Sequence, residues 1–213
     1  MRIHVLGGTG FAGGHTVAEA AARGHEVVSF SRHVPDRKVQ GVAYREADVL
    51  DPATLAEATE GADAVVSAIA PRGALEGRTR PALADLAGHC AQKGVRLGVI
   101  GGAGSLRVSE DGPLVMDTPD FPAEILAEVK EMAGVLEDLR AADQRLDWFY
   151  LSPAGGFGGF DPGERTGTYR LGGEVLVTDE DGRSYISGAD LALALVDELE
   201  APRHRQARFT VGY

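Results

Sequence analysis

The chain is 213 residues long, 44% hydrophobic and 25% charged, with a formal net charge of −11 at pH 7. This is the profile of one soluble globular domain over 1–213, with length enough for a sizeable core. The negative charge argues against a nucleic-acid surface and no apolar run approaches the roughly 20 residues that span a bilayer, while a single cysteine, Cys90, excludes an internal disulfide and fits a reducing cytoplasm.

The N-terminal residues run straight into Ile3–Leu6, a short apolar run of strand character, so no signal peptide is expected. Next comes "GGTGFAGG" at 7–14, and then Phe11–Arg23, alanine-rich and free of proline, closing at Gly24 as a helix does. Strand, glycine turn and helix follow one another without a linker. In that setting the turn lets the backbone approach a phosphate while the helix's unpaired N–H groups and positive dipole end point at it. The glycines fit Gly7-x-x-Gly10-x-x-Gly13 and also Gly8-x-Gly10-x-x-Gly13, both dinucleotide fingerprints. Gly7, Gly8, Thr9, Gly10, Phe11, Ala12 and Gly13 are therefore the expected cofactor cradle. The competing reading is a tight turn that needs small residues for packing alone.

Strand two, Glu26–Phe30, ends in Ser31-Arg32, with Arg37 and Lys38 close behind and no acid at the tip. An acid there selects NAD through the ribose hydroxyls and an arginine accommodates the 2′-phosphate, so Ser31 and Arg32 predict NADP(H) over NAD(H). A solvated loop arginine is the plainer alternative. Strand three, Val42–Ala47, leads to Asp48-Val49, where Asp48 could accept from the adenine amino group or simply make a turn. Asp51-Pro52 opens a helix to about Glu60, with Asp as cap and Pro at the first position. Ala64–Ala70 is a nearly continuous apolar run, as in a central parallel strand. Pro81–Lys93 reads as helix, Arg96–Ile100 as strand five before "GGAG" at 101–104, Pro122–Ala142 as a long helix and Leu146–Leu151 as strand six. Residues 153–183 turn to glycine-rich loops with short strands. Ser187 to Asp190 resembles a capping box, starting a helix to about Glu200, and Arg208–Tyr213 is a terminal strand. The alternation predicts an α/β fold: a doubly wound, mostly parallel Rossmann-type sheet with helices on both faces. Its ligand crevice should lie at the carboxyl ends of the strands, with the 153–183 insertion completing a substrate pocket beside it.

Taken in order, Gly7-x-x-Gly10-x-x-Gly13, the Asp48 loop, "SAIAP" at 67–71 and the helix before "LDWFYLSP" resemble the short-chain dehydrogenase/reductase superfamily, in its atypical NmrA-like branch. "PGERTGTYRLGG" at 162–173 and "ISGADLALALVDELE" resemble more narrowly the group labelled NADH–flavin reductases. The resemblance implies an NAD(P)H-dependent oxidoreductase with Ala68, Ile69, Ala70, Pro71, Gly101 and Pro153 bordering the cofactor. It also places Lys130 at the lysine of the Tyr-x-x-x-Lys pair, in contact with the nicotinamide ribose. The tyrosine position holds Leu126, and Gly101 and Gly102 stand where the usual serine follows strand five, with Ser105 slightly beyond. Carbonyl reduction needs a proton at the oxygen as hydride reaches the carbon. The expected reaction is therefore hydride transfer from NADPH to a flavin such as FMN, or to a quinone-like acceptor, with Lys130 and Ser105 as the candidate catalytic residues. Two rivals remain open: a redox sensor that binds NADP(H) without turnover, and a reductase or epimerase of a small carbonyl compound using Ser105 or Tyr169 as donor. The expected partners are a small-molecule acceptor and, in a homodimer, a second copy, with neither nucleic acid nor membrane.

The six histidines lack the spacing of metal ligands, so no metal is expected, and His4 reads as a core residue. "DEDG" at 179–182 reads as a hairpin turn, Cys90 as buried filler, and Trp148 and Tyr150 as core.

Overall fold

In the computed structural model, which describes residues 1–213, the apolar runs become strands of a single sheet and the runs between them become its covering helices. The strands are β1 (Arg2–Leu6), β2 (Glu26–Ser31), β3 (Val42–Glu46), β4 (Ala64–Ser67), β5 (Arg96–Ile100), β6 (Trp148–Ser152), β7 (Arg170–Gly172) and β8 (Ala207–Gly212). Their order is β3-β2-β1-β4-β5-β6-β8-β7. Every neighbouring pair is parallel except β7, which runs antiparallel to β8. β4, β5 and β6 are buried along their whole length, because helices cover both faces.

Side-chain alternation along the strands divides the core into two. Trp148 and Tyr150 of β6 face the layer of α2 (Pro52–Ala58), α3 (Thr79–Lys93) and α4 (Leu126–Arg140), among Leu55, Leu86 and Leu136. Phe149 and Leu151 face the layer of α1 (Phe11–Ala22) and α5 (Gly188–Glu200), among Val17, Leu191 and Leu195. The chain winds outward through β2 and β3, then crosses back to place β4 against β1. Strand order therefore reverses between β1 and β4, which opens the crevice at their carboxyl ends.

Several boundaries differ from expectation. β4 stops at Ser67, and Ala68–Ala70 leave the sheet to line that crevice. α4 starts at Leu126, after a 3₁₀ turn over Ala123–Ile125. Within 153–183 only β7 is a strand. "DEDG" is a turn: the Asp179 carboxylate accepts from the N–H groups of Asp181 (3.0 Å) and Arg183 (2.8 Å). His4 is buried, with Nδ1 2.8 Å from the carbonyl of Ala58, and burial lowers its pKa. Burial pushes the Cys90 thiol up to about 12, far from a reactive thiolate. No helix is long and apolar enough to cross a membrane.

Candidate functional site

Three glycines, two in the turn between β1 and α1 and one in the first turn of α1, are demanded by the fold. Gly7 has φ +78°, and a Cβ there would lie 3.0 Å from the carbonyl oxygen of Ala68. A Cβ on Gly8 would come 2.4 Å from Ser29 Oγ, and one on Gly13 2.2 Å from the carbonyl oxygen of Gly7. Gly10 is different. Its backbone is extended, at φ −75° and ψ 175°, and the nearest atom to an added Cβ is 3.3 Å away. It caps α1 and, as a glycine, has no side chain to occupy the first-turn N–H groups; the caps of α3 and α4 leave theirs without a side-chain bond as well, whereas Asp51 and Ser187 cap α2 and α5 with theirs. The first-turn N–H groups of α1 thus face an open backbone position, which fits a phosphate. The turn is held from below: Gly7 donates to Phe30 O at 2.8 Å and Thr9 N–H donates to Ser31 Oγ at 3.2 Å.

Beside the turn lies a cleft of about 280 Å³. It is lined by Gly7, Thr9 and Gly10 of the turn, by Ser31 and Arg32 at the end of β2, and by Asp48, Val49 and Leu50 after β3. Ala68, Ile69 and Ala70, after β4, line it too. Ten of the residues expected around a cofactor are thereby gathered from four separate stretches of sequence. Ser31 is buried and its hydroxyl serves the turn, while Arg32 is exposed. Asp48 makes the plainer turn contact, with Oδ1 3.0 Å from the Leu50 N–H, and still lines the cleft. Phe11 and Ala12, half-buried, start α1 behind the turn, and the Phe11 ring packs against Phe157 at 5.3 Å. Pro71 and Pro153 are buried.

Six cleft residues were not among those expected: Phe30, Ala47 and Leu50, each next to an expected one in sequence, and Arg72, Ala74 and Leu75. Ala74 and Leu75, on the 3₁₀ turn over Gly73–Leu75, add an apolar wall for which the sequence carries no signal. Arg72 lines the cleft and holds Glu128 of α4 in a bidentate pair at 2.6 and 2.8 Å. Its only sequence signal was its place directly after "SAIAP".

Ile69 and Ala70 also line a smaller hollow of about 60 Å³, shared with Gly101, Gly102, Ser105, Glu128 and Tyr150. A Cβ on Gly101 would lie 2.0 Å from the Tyr150 ring, so a serine cannot stand there without displacing that ring. The Tyr150 hydroxyl donates to Met132 O at 3.0 Å, and burial raises its pKa well above the tyrosine range. Ser105 Oγ accepts from the buried Arg208 guanidinium at 2.9 Å. Lys130 departs from expectation: it is exposed on the outer face of α4 and lines neither cavity. Tyr169 is directed elsewhere too, donating to Asp197 of α5 at 2.6 Å beside Leu171 and Ala194. Of the expected catalytic residues, Ser105 reaches the hollow and Lys130 does not.

A family model described as NAD(P)H-binding matches residues 7–202. The uncharacterized Bacillus subtilis protein YwnB is 40% identical over 99% of this chain and 98% of its own. A Bacteroides thetaiotaomicron crystal structure provisionally named an epimerase superposes with a TM-score of 0.89 at 36% identity, covering 100% of this chain and 96% of the other. One from Streptococcus pneumoniae, provisionally named an NADH–flavin reductase, gives 0.83 at 37% identity, covering 100% and 99%.

Proposed function

The chain belongs to the NAD(P)H-binding family, and from that premise we propose that it is an NADPH-dependent oxidoreductase that delivers hydride to a flavin or quinone-like acceptor. Bound NADPH would supply the hydride. The glycine turn and the α1 N-terminus would hold its pyrophosphate, and Arg32 at the end of β2 would face the 2′-phosphate. Asp48, Val49, Ala74 and Leu75 offer the adenine one carboxylate and an apolar wall.

The observation that carries the choice of acceptor is the state of the groups that could give a proton. The Tyr150 ring leaves no room for a serine at Gly101, Tyr150 gives its hydroxyl proton to a backbone carbonyl, and Ser105, whose Oγ accepts from Arg208, is the one hydroxyl of the hollow with its proton uncommitted. Lys130 points to solvent and Leu126 has no proton to give. A ketone or aldehyde would have to take the proton its oxygen needs from Ser105, with no tyrosine hydroxyl or lysine beside it to deliver one. Flavins and quinones accept hydride and can draw their proton from water. The decisive test is steady-state NADPH oxidation with FMN, riboflavin, a benzoquinone and a panel of ketones. Turnover is expected with the flavins or the quinone and little with the ketones. Efficient ketone reduction would overturn the assignment. Tight NADPH binding without turnover on any acceptor would move the reading to a redox sensor.

A further inference from the structure

We propose that Phe160 is the acceptor-binding residue of this site, its ring stacking on the planar face of an isoalloxazine or quinone; the inference rests on the hydride-transfer reading above. Six large apolar residues are exposed, five of them by 37–45% and Phe160, the single aromatic, by 80%. An isolated exposed apolar residue is ordinary. Phe160 differs in where it stands and in what holds it there.

The loop that carries it leaves the carboxyl end of β6 and crosses to the start of α1. Gly155 and Gly156 tie its outgoing arm to Ser184, at 2.9 Å to Oγ and 2.8 Å to the carbonyl. Gly159 then rests on Phe11, the residue after Gly10, where an added Cβ would lie 3.7 Å from the ring. Asp161 N–H closes a turn onto Gly158 O at 3.2 Å, and the Tyr185 hydroxyl holds Asp161 O at 3.1 Å. The returning arm is fixed by Arg165 on Glu19 of α1, and by Thr166 and Gly167 N–H groups on the buried Asp190 carboxylate at 2.7 and 2.9 Å. Phe160 is the apex between two anchored arms.

The glycines around it have a use in this arrangement. A Cβ on Gly158 would lie 2.3 Å from the Phe160 ring, so the ring occupies the space that a side chain at 158 would take. One on Gly163 would collide with the Tyr185 hydroxyl at 2.0 Å. The fold therefore holds an apolar ring in water, on a loop whose preceding residue, Gly159, meets Phe11 at the start of α1. The cleft sits at the ends of β1 to β4, on one side of the turn that would hold the pyrophosphate. A dinucleotide running past Gly10 leads toward the ends of β4 to β6, from which the Phe160 loop departs. A planar acceptor stacked there covers the ring, removes its apolar face from water and gains the attraction between offset π-systems.

The test uses the whole chain and three variants: Phe160→Ala, Phe160→Leu and Phe160→Tyr. Flavin binding is read without turnover, by quenching of riboflavin and FMN fluorescence with NADP⁺ present. NADPH affinity is read separately by nucleotide fluorescence, and folding by thermal melting. Phe160→Ala should weaken flavin binding and raise the flavin KM about tenfold, the range of one aromatic stacking contact. Its kcat, NADPH affinity and melting temperature should stay unchanged. Phe160→Tyr should keep flavin affinity and Phe160→Leu should not, because an aliphatic chain replaces area without a π-face. Flavin turnover that persists with unchanged KM and quenching in Phe160→Ala would overturn this inference and leave the hydride-transfer reading standing. Quenching that depends on Phe160 with no turnover would do the reverse. Loss of NADPH affinity or of folding in Phe160→Ala would also overturn it, by assigning the ring to the cofactor site or to the core.

Discussion

Gly10 and Gly13 each lack one methyl group, and the two absences have different consequences. An alanine at 13 would press its Cβ to 2.2 Å of a backbone carbonyl that cannot rotate away. Such overpacking costs about 1–3 kcal/mol or more, so Gly13→Ala should lower the melting temperature whether or not a nucleotide is present. At Gly10 an added Cβ meets one atom, the Gly7 carbonyl oxygen at 3.3 Å, which must give by a few tenths of an ångström, so Gly10→Val should keep the circular dichroism of the fold, lose less melting temperature than Gly13→Ala, and abolish dinucleotide binding measured by nucleotide fluorescence. Unchanged affinity would mean that the glycines serve packing alone. Arg32 is the second residue with a distinct readout. A charge-assisted hydrogen bond to a 2′-phosphate is worth about 1.5–3 kcal/mol, so NADPH should bind about ten- to a hundredfold tighter than NADH. Arg32→Ala should erase most of that gap and spare NADH; equal affinities in the wild type would sink the assignment. The position of Arg32 was legible because it follows β2 directly, about twenty residues past the glycines, where the ribose contact is made. Arg72 was not, because its partner Glu128 lies 56 residues away and reaches it only through the packing of α4.

Helix α5 shows how a local signal can be right about position and incomplete about purpose. Ser187 caps it as expected, accepting from the Asp190 N–H at 3.1 Å. The returning half of the capping box is diverted. Ser187 N–H donates to the Tyr213 hydroxyl, and the Asp190 carboxylate instead accepts from Thr166, Gly167 and Tyr213. Burial pushes the Asp190 carboxyl up, but these donors outweigh it and leave its pKa below the usual carboxylate value. A depressed folded value means stability that is present above the unfolded value near pH 4 and lost as pH falls through the folded one. Asp190→Asn should therefore cost about 1–3 kcal/mol at pH 7, through donors left poorly paired. It should also lose less stability than wild type as pH falls from about 5 through the unfolded value near 4 and on below it, where the lowered carboxyl of the wild type takes up its proton. Parallel pH slopes of the melting temperature in the two proteins would contradict this. α4 carries the opposite lesson. Its rotation is set by Met132, Val135, Leu136 and Leu139, all buried. At about 100° per residue Lys130 stands roughly 200° from Met132, while Glu128 and Val129 lie one turn below that stripe and line the hollow. The apolar period was in the sequence, and a motif match at Lys130 overrode it.

Across the whole molecule, alternation of element types was enough to anticipate a parallel sheet with a crevice at its carboxyl edge, because parallel strands need helical crossovers and those crossovers have one hand. The 153–183 segment was not legible in the same way. Its order comes from contacts such as Arg165 with Glu19, 146 residues apart, and from the antiparallel edge strand β7 pairing with β8. The crevice itself is built by both halves of the winding: Gly7, Arg32 and Asp48 come from the outward half, and Ala68 and Arg72 from the returning one. No such surface exists in the unfolded chain, so a dinucleotide that binds there stabilises only the native state. At a free concentration a hundred times Kd the gain is about 2.7 kcal/mol. For a domain of this size that corresponds to a rise of about 5–11 °C in Tm, at 2–4 °C per kcal/mol. The rise should scale with the logarithm of NADPH concentration once above Kd. At one fixed concentration it should be larger for NADPH than for NADH in the wild type, and nearly equal for the two in Arg32→Ala. Melting curves followed by circular dichroism across a nucleotide titration would test both statements together. An unshifted Tm at millimolar concentrations of either nucleotide would show that the crevice is a feature of the fold without a dinucleotide to fill it.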